Sequence, residues 1–79
     1  MLNDDLELIT KSFENTSFFI DNIEQDKESD DLILNIKAKD NNVTISDTIK
    51  MLKKCFGLSK HIKEIAFSRV MRIRRKQIL

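Results

Sequence analysis

The sequence contains no proline, tryptophan or tyrosine, and it has one glycine, one cysteine and one histidine. A single cysteine cannot form an internal disulfide, and together with one histidine it supplies too few ligands for a structural zinc site. One glycine excludes the glycine-rich loops that hold phosphates in nucleotide-binding proteins. These absences predict a protein that is not an enzyme and that uses no metal and no cofactor.

Long apolar runs are also missing. The longest runs contain three residues, whereas a membrane-spanning helix needs about 20. The first residues, Met1 to Asp5, are acidic where a signal peptide would be basic. We therefore expect a cytoplasmic protein that is not an integral membrane protein, although a membrane protein could still be its partner.

The chain has 79 residues, which corresponds to a single domain over residues 1–79. A domain of this size buries only about 60–65% of the surface of its unfolded chain, so its core alone gives marginal stability. Small domains without disulfides or metals often gain stability by association. The length therefore predicts self-association or a tightly bound protein partner.

Charge is distributed unevenly along the chain. Residues 1–40 contain eleven acidic and four basic side chains, a balance of −7, whereas residues 41–79 contain two acidic and ten basic ones, a balance of +8. Such asymmetry indicates either an acidic or nucleic-acid partner for the second half, or a fold in which the two halves neutralise each other.

The first half begins with a helical pattern. Apolar residues at spacings of four, three and four predict a helix over residues 3–14, which could continue to residue 24; they are Leu2, Leu6, Ile9 and Phe13. Residues 25–31 then form an acidic connecting loop.

Residues 32–46 are ambiguous. Leu32, Leu34 and Ile36 alternate with less apolar residues, and turn-forming residues at 40–42 precede a β-branched segment, which favours a β-hairpin. The alternative is a short helix capped by Ser29. The hairpin interpretation is the better supported of the two.

The second half predicts two helices, over residues 47–56 and 59–77, separated by Gly57. The longer helix would carry one apolar stripe for the core and a second on nearly the opposite side, formed by Phe67, Met71 and Ile78. A small domain cannot easily bury both stripes, and a surplus apolar stripe usually marks an interface. These three residues are therefore the predicted contact with a partner or a second copy. A strand over residues 69–75 is an alternative.

The same segment ends in a basic cluster, the predicted surface for nucleic acid or an acidic partner: Arg69, Arg72, Arg74, Arg75 and Lys76. A helix, a turn at Gly57 and a second helix form the outline of a helix–turn–helix DNA-binding motif. Lys53 and Lys63, however, occupy positions where that motif has a small and an apolar residue. Alternatively, the cations complement the helix dipole and pair with the acidic first half.

Cys55 and His61 are the only candidate pair of nucleophile and base. Cys55 lies among apolar residues, where cysteine usually acts as a small core side chain. No orienting residue or oxyanion-stabilising motif accompanies the pair, so catalysis is not predicted.

Isoleucine, lysine and asparagine make up 27 of the 79 residues, which indicates AT-rich coding. As a whole, the chain resembles the small accessory proteins of T-even-type phages, which include inhibitors of host proteins and the cytoplasmic lysis-inhibition accessory protein. Resemblance to the lysis factor implies an antiholin that binds the soluble part of a membrane holin.

Together these patterns predict a mainly α, small single domain, with an α+β arrangement containing a short hairpin favoured over an all-α one. The predicted function is non-enzymatic regulation through protein–protein binding by the C-terminal helix, with formation of a homo-oligomer. The alternative is a helix–turn–helix-like protein that binds nucleic acid through its basic C-terminal helix.

Overall fold

The computed structural model describes residues 2–67 and 71–78. Within these residues, two pairs of consecutive strands lie between three helices, in the order α1 (Leu2–Ser12), β1 (Phe18–Gln25), β2 (Leu32–Ala38), α2 (Ile45–Leu58), β3 (Ile62–Ala66), β4 (Arg72–Arg74) and α3 (Arg75–Ile78).

The strands form one mixed sheet with the spatial order β1-β2-β3-β4. The two outer pairs are antiparallel, whereas β2 and β3 are parallel. The parallel pair needs a long crossover connection, and α2 provides it. The protein is thus a small α+β domain, and the prediction of a mainly helical domain is wrong.

The alternating sequence of β2 explains why the sheet has one covered face. Leu32, Leu34 and Ile36 point to the same side and are almost completely buried. Ile9 from α1 and Phe13, the residue that follows α1, join them in one core, so both long helices pack on this face. Four residues of α2 belong to the same core: Met51, Leu52, Cys55 and Phe56. The opposite side of the sheet is covered by none of the described elements, and we call it the open face.

The helix predicted over residues 3–14 corresponds to α1, but its continuation to residue 24 is wrong. Asn15 has a φ of 61°, a left-handed conformation that asparagine tolerates and that ends the helix. The hydroxyl of Thr16 donates to the carbonyl of Phe13 and secures the turn. The aromatic and β-branched residues that follow Ser17 favour a strand, which is β1.

The predicted pairing within residues 32–46 is also wrong, as is the short-helix alternative for this region. Residues 32–38 do form a strand, but β2 pairs with β1, and the acidic residues 26–31 form the connecting loop, in which Asp30 has a φ of 60°. Residues after 42 lead into α2, because Thr44 and Asp47 form a capping box at its start.

The long helix predicted over residues 59–77 is absent from the described residues. Gly57 lies inside α2 without a positive φ, and α2 ends at Leu58 with Ser59 in an extended conformation. β3 and β4 follow, the latter within the range of the alternative strand at 69–75. The free edge of β2 needs a neighbouring strand, and this tertiary requirement outweighs the weak helical preference of the segment.

Candidate interaction surfaces

An apolar groove lies between the first half of α2 and the β3–β4 hairpin. It encloses about 680 Å³, and among the described residues that line it Lys37 is the one that carries a charge. Its lining consists of Phe18, Lys37, Ala38, Val43, Ile45, Thr48, Ile49, Leu52, Phe67, Met71 and Ile73. We call this surface the apolar groove.

Three large apolar side chains of the groove are exposed to solvent. Ile45 is 80% exposed, Ile49 41% and Met71 51%. Ile45 and Ile49 are one helical turn apart on α2, so they form a continuous ridge beside the buried residues Leu52 and Phe56. Exposed apolar residues that adjoin one another in this way are typical of a contact surface.

The residues predicted as an interface lie partly in this groove. Phe67 and Met71 both line it, and the backbone N–H of Phe67 donates to the carbonyl of Met71 at 2.8 Å across the hairpin. The ring of Phe67 meets that of Phe18 edge to face, with 6.1 Å between centroids. The side chain of Ile78 lies outside what the structure describes.

A second depression lies on the open face, beside β3 and β4. It encloses about 660 Å³ and carries five cations, one carboxylate and one apolar side chain: Lys63, Arg72, Arg74, Arg75, Lys76, Glu64 and Ile33. We call this surface the basic cleft. Four of the five residues predicted as the basic surface thus lie together, and the fifth, Arg69, lies outside the described residues.

Glu64 fixes the two arginines of β4. Its carboxylate lies 2.5 Å from a terminal nitrogen of Arg72 and 3.9 Å from Nε of Arg74. The pairing follows from the register, because Arg74 is directly opposite Glu64 and Arg72 is opposite Ala66. The hydrogen bond to Glu64 raises the pKa of Arg72 further, so this guanidinium stays charged.

Arg75 differs from its neighbours in the cluster. Its Nε donates to the carbonyl of Ile62 at 3.0 Å and a terminal nitrogen donates to the carbonyl of Ser59, while the guanidinium lies 5.2 Å from the centre of the Phe56 ring. These contacts join α3 to the end of α2 and the start of β3. Arg75 therefore contributes charge to the basic cleft while its donors serve the fold.

Residues of the basic half bind carboxylates of the acidic half, among them those of Asp26 and Asp5. Nζ of Lys63 lies 2.7 Å from a carboxylate oxygen of Asp26, and this hydrogen bond lowers the pKa of Asp26 to about 2. The hydroxyl of Ser59 donates to Asp5 at 2.7 Å, and Nε2 of His61 lies 4.0 Å from the same carboxylate. These contacts neutralise part of the charge asymmetry and leave the basic cleft with an excess of cations.

The candidate nucleophile Cys55 is completely buried, and burial raises the pKa of its thiol to about 12. The thiolate is the reactive form, so this cysteine is a packing residue in the folded chain. Among the residues with described positions, no group of histidine, cysteine, aspartate and glutamate could hold a metal ion.

The geometry of a helix–turn–helix motif is not present, because a strand, β3, follows α2 in place of a recognition helix. Likewise, within residues 2–67 and 71–78, no helix is long and apolar enough to cross a membrane.

Sequence reasoning missed Val43, Ile45 and Ile49 as groove residues and Lys63 as a cleft residue. A signal for the first three was present, because Thr44 and Asp47 have the spacing of a capping box, which places Ile45 in the first turn of a helix. Lys63 carried no such signal, since its place in the cleft depends on strand pairing.

The chain matches no protein-family model, no curated protein and no solved structure in comparisons with known proteins, so the surfaces themselves carry the functional argument.

Proposed function

We propose that the protein is a non-enzymatic cytoplasmic regulator that works by protein–protein binding, and that the apolar groove is its contact surface. The observation that carries this proposal is the adjacency of three exposed apolar side chains, Ile45, Ile49 and Met71, around a groove whose described lining is mainly apolar. Exposed apolar patches of this kind are uncommon on proteins that act alone.

The occupant that best fits the groove is a second copy of the chain. In a twofold-symmetric dimer the same patch contacts itself, so it must contain both a projection and a hollow. Ile45, which is 80% exposed, projects from the start of α2, and the apolar groove itself is the hollow. Lys37 lines the groove and its charge would face its own copy, but Asp21 lies 3.7 Å from its ammonium group and compensates this charge.

A dimer would also add stability to a domain of this small size. Each copy of a 79-residue chain buries a limited core, and covering the groove would remove further apolar surface from water. The whole-chain resemblance to small phage proteins that act on host or membrane-protein partners stays a prediction about what the regulator binds.

Sedimentation of Met71→Glu tests the proposal. The wild-type protein is expected to exceed its monomer mass of 9.3 kDa as its concentration rises from about 1 μM to about 1 mM. The new carboxylate would lose its hydration in a mainly apolar contact whose lining lysine, Lys37, already pairs with Asp21, so the dissociation constant should rise about tenfold or more.

Leu8→Glu is the matched control. Leu8 is 50% exposed, close to the 51% of Met71, but it lies on α1 outside the groove. This variant should associate as the wild type does. A wild-type protein that stays monomeric throughout the concentration range, or equal weakening by the two variants, would contradict the proposal.

A further inference from the structure

We propose that the basic cleft binds single-stranded nucleic acid, with the backbone phosphates along β4 and the bases on the neighbouring uncharged part of the open face. This activity is separate from the apolar groove, because the cleft and the groove lie on opposite faces of the sheet.

The phosphate side of the cleft contains three cations whose side chains reach solvent, Arg72, Arg74 and Lys76. Glu64 holds the two arginines in place, so less side-chain freedom would be lost when an anion binds. Guanidinium groups match the geometry of phosphate oxygens and can donate two parallel hydrogen bonds.

The uncharged side follows from the strand register. Asn22, Asn35, Ala66 and Arg72 form one row across the sheet, since each lies opposite the next. Three of the four are uncharged, and the amide of Asn35 donates to that of Asn22. In the adjacent row, Ile33 lies in the cleft itself. Amide groups can form hydrogen bonds with base edges, and an apolar side chain can pack against a base.

This arrangement favours a single strand over the other polyanions. Single-stranded nucleic acid has charged phosphates along one side, which match the cations of the basic cleft. Its uncharged bases lie along the other side and match the row that contains Asn22 and Asn35. A peptide of acidic residues such as polyglutamate carries a charge on every side chain and has no heterocyclic bases for that row, and a duplex keeps its bases stacked inside. On β1, Asp21 and Glu24 lie close to Asn22 in the sequence and would repel phosphates, so the phosphates are held on the β3–β4 side while the bases extend over Asn35 toward Asn22.

Fluorescence anisotropy with a labelled oligodeoxythymidylate of about 10 nucleotides tests the proposal. Each phosphate contact with a single strand changes the logarithm of affinity by about −0.7 per decade of salt. Three contacts therefore predict that affinity falls about 20-fold between ~50 and ~200 mM salt. Absence of binding by the wild type at ~50 mM salt overturns the proposal.

Two double variants separate a local site from general charge attraction. Arg74→Gln with Lys76→Gln should bind more weakly and retain about a 3-fold salt effect over the same range, because one contact remains. Lys50→Gln with Lys53→Gln removes the same charge from exposed positions on α2, on the other side of the sheet, and should retain the 20-fold effect. Equal losses in the two variants overturn the proposal.

A polyglutamate peptide of the same net charge identifies the class of ligand. It should bind at least tenfold more weakly than the oligonucleotide, because it cannot use Asn22, Asn35 and Ile33. Equal or tighter binding of polyglutamate overturns the nucleic-acid proposal in favour of an acidic protein. Sedimentation of the two double variants without oligonucleotide shows whether they self-associate as the wild type does. A loss of oligonucleotide binding with unchanged sedimentation is then independent of the test of the apolar groove.

Discussion

Arg75 provides the sharpest test of how the C-terminal residues hold the fold together. Its guanidinium donates to the carbonyls of Ser59 and Ile62 and lies over the ring of Phe56, so Arg75→Ala removes three contacts at once. A hydrogen bond from a charged donor contributes about 1.5–3 kcal/mol and a cation–π contact about 0.5–1 kcal/mol.

The side chain is partly exposed, so water replaces some of what is lost, and contacts that share one group do not add fully. We expect Arg75→Ala to lower the free energy of unfolding by about 2–3 kcal/mol. For a domain of 60–100 residues, that corresponds to a decrease in Tm of about 10–20 °C. Thermal and urea unfolding followed by circular dichroism measure both quantities.

Arg74→Ala is the control, because Arg74 is the adjacent residue and its side chain is 66% exposed with a 3.9 Å pairing to Glu64. Its removal should change stability by no more than about 0.5 kcal/mol. Arg75→Lys should lie between the two, since an ammonium keeps the charge but lacks the planar fork that reaches two carbonyls. If Arg75→Ala is no less stable than Arg74→Ala, the structural role assigned to Arg75 is wrong.

Three further predictions concern other parts of the chain. NMR titration should give Asp26 a pKa of about 2 in the wild type, and Lys63→Gln should raise this pKa toward the ordinary 3.8 without restoring it fully, because the backbone N–H of Glu28 still donates to the carboxylate; since the pKa is depressed in the folded chain, the stability it adds is present above pH 3.8 and is lost as the pH falls toward 2. Thr44→Ala should reduce stability by about 1 kcal/mol in urea unfolding, whereas Ser46→Ala, outside the capping box, should change it by less than about 0.5 kcal/mol. The Cys55 thiol, with a pKa of about 12, should resist iodoacetamide at pH 8 until denaturant unfolds the chain; rapid alkylation of the native protein would refute its burial.

The parts of the fold that sequence reasoning predicted well are those with local signals. The helix expected over 3–14 is α1, and the helix expected over 47–56 is the central part of α2. In both, apolar residues three and four apart are close in sequence as well as in space. The second helix begins slightly earlier than expected, because Thr44 is its cap.

The strands were harder to predict because their partners are distant in sequence. The alternation in β2 correctly indicated a strand, but nothing within residues 32–46 could show that it pairs with β1 on one side and β3 on the other. Ile62, Ala66 and Ile73 fit the spacing of a helix as well as positions in strands. This segment forms strands because the free edge of β2 needs a neighbouring strand, and no local sequence pattern shows that this edge exists.

The residues of the candidate surfaces were predicted in part, but the prediction assumed a helix where the structure has a β-hairpin. Phe67 and Met71 were placed on one side because they are one helical turn apart. They share a side in the structure because they face each other across a β-hairpin, where the N–H of Phe67 donates to the carbonyl of Met71. The residues on α2 that complete the groove could not be inferred from the hairpin segment alone.

The short strand β4 explains why apolar and basic residues alternate near the C-terminus. Ile73 lies opposite Ile65 and faces the helices, whereas Arg72 and Arg74 on either side of it face the open side. Side chains of a strand alternate between its two faces, so one three-residue element borders both the apolar groove and the basic cleft. In a helix, the same residues would be spread around the helix axis, and the apolar side chains would not be separated from the arginines. The mixture of apolar and basic residues that suggested a helix with two apolar stripes is therefore the sequence expected of an edge strand with a different surface on each face.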